Sequence, residues 1–317
     1  MAINTVRYRS QGTTGWGVVR GDRILPIPGE FHSTGDFVSR VTTTGLDKLA
    51  GDTLALGDVD VLSPVTGNQQ FICQGANYRQ HMIESGMDPD AKHFNMIFTK
   101  APGCIVPADS ELVKPAKVRF LDYEIELGLV LKRDITSPLQ VTADNLHEFI
   151  AGIVIVNDYS ARDIQIPEMQ FYKGKSFRTF GPVGPFLCLL EAADLRHLDD
   201  LDLHLTVNGE TRQRDNTRNL VHKPAPTLTE LSSVQDLFAG DLLATGTPSG
   251  CALSIPSPTK QKIGALLPEA MKWQVFMQVQ AKRKQYLKVG DVVEASIRSQ
   301  DGRIDLGRQH NRVVAGA

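Results

Sequence analysis

Cysteine is scarce in this 317-residue chain. Cys73, Cys104, Cys188 and Cys251 lie far apart and form no C-x-x-C pair. They read as reduced, mostly structural thiols, which fits a cytoplasmic protein. No apolar run approaches the roughly 18–20 residues that span a bilayer, so no membrane partner is expected. The opening Met1-Ala2-Ile3-Asn4 lacks the basic and apolar regions of a signal peptide. Charge of either sign is not in excess: 34 Lys and Arg stand against 36 Asp and Glu, a net −2. Nucleic acid and anionic membrane surfaces therefore have no electrostatic claim on the chain. The patterns H-E-x-x-H, G-x-S-x-G and G-x-G-x-x-G are absent, which removes support for a zincin, a serine hydrolase and a dinucleotide enzyme. Gly174-Lys175-Ser176 ends like a phosphate-binding loop, but Met169 stands where that motif needs glycine.

What the chain does contain is a hydrophobic fraction of 41%, enough for a sizeable core. Residues 1–65 read as a small β-rich module. Val6-Arg7-Tyr8-Arg9, Trp16-Gly17-Val18-Val19 and Ile24-Leu25-Pro26-Ile27 alternate with turn residues, and a helix is expected over 47–56. Residues 66–317 form the main domain. Leu146 to Gly152 reads as a short helix ending at glycine, followed by a buried strand from Ile153 to Asp158. Leu201 to Val207 alternates cleanly and runs into the hairpin turn Asn208-Gly209. Long helical periodicity is scarce and strands do not alternate with long helices, so the expected fold is mixed and mainly β, not a doubly wound parallel sheet. The exception is the stretch 260–286, inside an insertion over about 251–286. Ile263, Leu266, Leu267, Ala270, Met271, Val275, Phe276 and Val279 have helical spacing there, as in a helix packed on the core or at a subunit interface.

The run Leu121-Asp122-Tyr123-Glu124-Ile125-Glu126-Leu127 carries the chemistry. On a strand, Glu124 and Glu126 share a face, with Asp122 on the same side. Two like charges about 4 Å apart at an effective dielectric of about 20 cost roughly 4 kcal/mol, which water, a basic side chain or a divalent cation must offset. Asp158, at a strand end, can complete a set of three hard oxygen ligands for Mg²⁺, Mn²⁺ or Ca²⁺. Solvated acids on an open sheet face are the alternative. His81 and Glu84 share a helix face, where the carboxylate can orient the imidazole, or the two are an exposed pair. Lys175 sits in a basic, glycine-rich loop that can present it to an anion. Thr247 lies in the small-residue turn Ala244 to Gly250.

Read in order, Gly75-Ala76-Asn77-Tyr78-Arg79-Gln80-His81, Phe98-Thr99-Lys100-Ala101-Pro102, Asp122 to Leu127, Asn157-Asp158-Tyr159-Ser160-Ala161-Arg162-Asp163-Ile164-Gln165, Lys173 to Phe177, Thr245 to Gly250 and Leu287 to Asp291 resemble the fumarylacetoacetate hydrolase family. The resemblance runs from about residue 70 to the C-terminus. It implies that family's β-sandwich roll with short helices, usually as a homodimer. It implies Glu124, Glu126 and Asp158 as ligands of Mg²⁺ or Mn²⁺. His81 and Glu84 match the H-x-x-E dyad on the lid helix of the acylpyruvate-hydrolase-like branch. Lys175 and Gln165 would stabilise an oxyanion, and Arg162 and Thr247 would hold a substrate carboxylate. Tyr78 and Arg178 are further substrate-contact candidates. Arg178, where many members have a small or acidic residue, would add a positive charge to the pocket.

The implied reaction is hydrolysis of a carbon–carbon bond in a 2,4-dioxo acid through an enolate. Decarboxylation or keto–enol isomerisation of a 2-oxo acid uses the same logic. A non-catalytic 2-oxo-acid-binding protein is the reading from another class.

Overall fold

The computed structural model describes residues 2–90, 94–255 and 266–316. Its largest sheet has eleven strands among these residues. In spatial order they are Leu54–Ala55, Arg23–Pro26, Thr13–Arg20, Ile3–Ser10, Leu187–Leu189, Ile150–Asn157, Ile125–Leu131, Leu242–Ala244, Phe71–Gly75 and Met96–Lys100, with Asp60–Leu62 paired to Ile3–Ser10. A second sheet of five strands runs Glu210–Asn216, Leu201–Val207, Val292–Ser299, Asp305–Ala315 and Asp109–Lys114. The mixed, mainly β architecture expected from the sequence is the one formed.

The pleat explains the central strands. Ile125, Leu127, Leu129 and Leu131 join the core that lies between the large sheet and the five-stranded sheet, together with Leu203, Leu205 and Ile297. Val130 and Val154 point the other way, into a second core shared with Trp16, Val18 and Phe37 from the N-terminal strands. Those strands continue the same large sheet edge to edge. Ile3, Asn4 and Thr5 pair with Leu189, Cys188 and Leu187. The hairpin at Asn208-Gly209 forms as expected, with φ of 52° and 78°, which the asparagine–glycine pair tolerates.

Three local expectations are corrected. The helix expected over 47–56 stops at Asp47, and Leu54 and Ala55 instead pair with Ile24 and Arg23 at the sheet edge. Leu146 to Gly152 holds only a 3₁₀ turn, Leu146–Glu148, and the strand begins at Ile150. Gly152 lies within that strand, paired with Leu189, and the position takes glycine because a Cβ there would lie 2.3 Å from the Cys188 carbonyl oxygen. Lys175 ends a short helix, Phe171–Lys175, and is not on a loop. Within the insertion, a helix forms over Glu269–Gln280, while 256–265 lie outside the described residues. It buries little: Gln280 is enclosed, but Met271, Val275 and Val279 stand exposed along one face.

Candidate metal centre and active-site cavity

Glu124, Glu126 and Asp158 converge. One carboxylate oxygen from each lies within 4.8 Å of the others, and all three residues are buried. Hydrogen bonds at the strand ends fix this approach. The Glu124 amide donates to Asn157 Oδ1 at 3.0 Å, and the Asp158 amide donates to the Glu124 carbonyl at 2.8 Å. Glu126 lies in the strand Ile125–Leu131, and Asp158 follows the neighbouring strand Ile150–Asn157, paired to it through Ile125 and Asn157. The solvated alternative is excluded by burial.

The offsetting charge comes partly from two lysines. Lys175 Nζ donates to Glu124 Oε2 and Asp158 Oδ2, both at 2.6 Å, and to Ser160 Oγ at 2.8 Å. Lys100 Nζ donates to the other oxygen of Asp158 at 2.5 Å and to the Phe180 carbonyl at 2.8 Å. Arg162 pairs with the second oxygen of Glu124. Burial alone would push Glu124 up, but Arg162 and Lys175 outweigh it and pull the carboxyl down to about 2. Glu126 is treated differently. Among the described residues its side chain accepts only the Gly246 amide, at 2.9 Å. Burial first, then Asp158 and Glu124, pushes it well above the ordinary carboxylate range. Three buried carboxylates with one left short of positive charge are a donor set that fits a divalent cation, and hard oxygen ligands suit Mg²⁺ or Mn²⁺.

Asp122 does not join the triad. Fully buried, it accepts Arg162 Nε at 2.8 Å and the amides of Ala252 and Leu253 at 2.7 and 2.9 Å. It thereby aims the guanidinium at Glu124 and ties the loop after Cys251 to the site. Arg162 also donates to Gln165 Oε1 at 2.8 Å, leaving Gln165 Nε2 to offer a ligand. Gly174 lets the Lys175 helix sit on this residue, since a Cβ there would lie 2.7 Å from that of Gln165.

A cavity of 210 Å³ opens on Glu124 and Glu126, with Arg162, Gln165, Lys175, His81 and Thr247 in its wall. Burial holds the His81 imidazole below its ordinary value of 6.5, with Glu124 opposing, so it is neutral at pH 7. Glu84 is exposed on the same short helix, Arg79–Glu84, and lines a neighbouring groove. No hydrogen bond joins it to His81 among the described residues, although its charge reaches the imidazole. The Thr247 hydroxyl is already engaged: it donates to the Ile125 carbonyl at 3.0 Å and accepts from Gln213 at 2.9 Å. Tyr78 and Arg178 are elsewhere. The Tyr78 ring is fully buried in the core, and Arg178 is exposed, so neither lines the cavity.

Several contributors escaped the sequence reading. Lys100 had a signal, a lysine closing an apolar strand, but its place against Asp158, outside the cavity wall, is set only by the tertiary structure. Met87, Met96, Phe98, Ile166, Phe171, Leu253 and Ile255 form an apolar wall from five separate segments, and no local pattern joins them.

The chain resembles known proteins over most of its length. Residues 70–314 match the family model for the fumarylacetoacetate (FAA) hydrolase C-terminal domain, and residues 5–64 match the Rv2993c-like N-terminal model. The chain is 34% identical over 215 residues to oxaloacetate tautomerase YisK of Bacillus subtilis, covering 67% of this chain and 69% of that one. It is 33% identical over 251 residues to a 2,4-didehydro-3-deoxy-L-rhamnonate hydrolase of a Sphingomonas species, covering 79% and 75%. The solved fumarylacetoacetate hydrolase of Exiguobacterium antarcticum superposes with a TM-score of 0.76 at 28% identity, over 99% of this chain and 100% of the other. No described helix is long and apolar enough to cross a membrane. With most of its length matched by the family model and its carboxylates drawn together where the shared motifs predicted them, the chain belongs to the fumarylacetoacetate hydrolase family.

Proposed function

We propose that this protein is a metal-dependent hydrolase that cleaves the C3–C4 bond of a 2,4-dioxo acid, an acylpyruvate whose acyl tail is apolar. The observation that carries the reading is the cavity itself. One part of its wall is ionic, with Glu124, Glu126, Arg162 and Lys175; another is apolar, with Met87, Met96, Phe98, Ile166 and Phe171; and a neutral imidazole lines the same space. The cations in the wall, Arg162 and Lys175, are both committed to site carboxylates. A second substrate carboxylate would meet no free cation among the described residues of this wall.

A divalent cation held by Glu124, Glu126 and Asp158 supplies Lewis acidity to the 2-keto oxygen when bound. His81 takes a proton from a water molecule that attacks C4. Gln165 Nε2 donates to the oxyanion that develops there, and the Lys175 ammonium, its three protons held by Glu124, Asp158 and Ser160, supplies positive charge beside it. The C3–C4 electron pair leaves with the 2-oxo acid as its enolate, and the proton on His81 returns to C3. A carboxylic acid and pyruvate result.

His81→Ala is expected to lower kcat by roughly 10²–10⁴-fold, the range for a lost general base, with the Mg²⁺ dissociation constant unchanged. The acidic limb of kcat/KM should fall below 6.5 in the parent protein, because burial lowers the imidazole, and should vanish in the variant. Unchanged turnover would assign the base to another group.

The tautomerase reading is favoured by one observation, the 34% identity to a protein named for that activity. Both reactions pass through the enol or enolate of a 2-oxo acid but only hydrolysis releases a second acid, so a substrate panel with Mg²⁺ separates them. Acylpyruvates with apolar tails should lose their enol absorbance and release a carboxylic acid stoichiometrically. Faster turnover of oxaloacetate or a hydroxymuconate, without acid release, would replace the hydrolase reading by the tautomerase.

A further inference from the structure

A second cleft, of 310 Å³, lies apart from the metal cavity. Lys114, Arg119, Arg283 and Lys288 line it around Phe120 and Tyr286, whose stacked rings have centroids 5.0 Å apart and are nearly buried. None of the four cations pairs with a carboxylate among the described residues. Lys114 Nζ donates to the Val118 carbonyl, Arg283 Nε to the Ala252 carbonyl, and the Arg119 guanidinium stands 5.3 Å from the Phe120 centroid. The nearby acids Asp163 and Asp291 do not line the cleft and are held by other groups. Asp163 accepts the Arg119 and Phe120 amides at 2.7 and 3.3 Å, and Asp291 accepts the Lys288 amide at 2.7 Å and Asn208 Nδ2 at 2.9 Å.

Four like charges around one concavity repel unless an anion sits among them. The chain as a whole is slightly acidic, so the concentration is local. Lys114 and Arg283 are partly buried, where solvent screens them less, and the two rings close one wall to water. The volume is at the lower end for small-molecule sites, too small for a nucleic-acid track. Arginine forks favour oxyanions that accept two hydrogen bonds at once.

We propose that this cleft binds a small multivalent oxyanion, a phosphoryl group or a polycarboxylate, with Lys114 and Arg283 at its base and Arg119 and Lys288 at its rim. The inference does not depend on the proposed reaction.

Calorimetric titration of the metal-free protein with pyrophosphate and, separately, with tricarballylate tests it and distinguishes the two sources of the anion. At least one probe should bind with a sub-millimolar dissociation constant that weakens as salt is added. In the double variant Arg119→Gln/Lys288→Gln, affinity should fall by about tenfold or more, the scale of losing charge-assisted hydrogen bonds. Both residues are exposed, so the melting temperature and the Mg²⁺ affinity of the triad should stay as in the parent. Binding of neither probe overturns the proposal. Equal affinity in parent and double variant also overturns it, by placing the anion in the metal cavity.

Discussion

Glu126→Gln is expected to raise the stability of the metal-free protein while abolishing its response to Mg²⁺. Glu126 is 1% exposed and accepts one hydrogen bond, from the Gly246 amide. Glutamine keeps that acceptor and removes a charge that burial, Asp158 and Glu124 all disfavour. The gain without metal should be on the order of 1 kcal/mol, since replacing a poorly compensated buried charge by a neutral group is often stabilising. The loss with metal is larger. A ligand present at 100 times its dissociation constant stabilises by about 2.7 kcal/mol, and the variant forgoes that term.

The pH dependence has a definite sign. The folded carboxyl holds its proton above the ordinary value of 4.5, and the unfolded one does not. Between those two values the native state binds more protons, so the stability of the metal-free protein falls as pH rises. Thermal melts in EDTA from acid to neutral pH should show this decline in the parent and less of it in Glu126→Gln. An identical decline in both, or a retained Mg²⁺ shift in the variant, would remove Glu126 from the ligand set.

Lys175→Met is expected to have the largest effect on the metal-free fold. The ammonium bridges Glu124 and Asp158 at 2.6 Å each, with the lysine side chain 3% exposed. Removing one partner of a buried ion pair costs about 3–5 kcal/mol, because the remaining charges are left uncompensated. A divalent cation among the same carboxylates can replace much of that compensation, so urea unfolding with Mg²⁺ should recover part of the loss. Turnover should not recover, because the positive charge beside the developing oxyanion is gone. Lys100→Met provides the contrast. Lys100 is as deeply buried but lies on the opposite oxygen of Asp158 and outside the cavity wall. Its loss should destabilise the fold with little rescue by Mg²⁺. Equal rescue of both variants would show that the Lys175 position is not special to the metal centre.

The sequence by itself determined the parts that depend on local period and on short motifs. Alternation in Leu201 to Val207 and at Ile125, Leu127, Leu129 and Leu131 fixed which faces enter the core, because a strand's side chains repeat every two residues. The pair Glu124 and Glu126, with Asp158 at the end of an apolar strand, was legible for the same reason. What the tertiary structure decided is the company each charged group keeps. Asp122 has the same parity as the two glutamates, yet it is drawn to Arg162, 40 residues away in sequence, and to the amides after Cys251. Gly152 sits in a strand and not at a helix end, paired between Val130 and Leu189, and the Cys188 backbone leaves room there for glycine alone. Tyr78 goes to the core and Arg178 to solvent, although both flank residues of the cavity. The apolar wall that suggests the substrate's tail is assembled from Met87, Met96, Phe98, Ile166, Phe171, Leu253 and Ile255. A one-dimensional pattern records the face a residue shows, but burial and pairing energies between distant segments choose what that face meets.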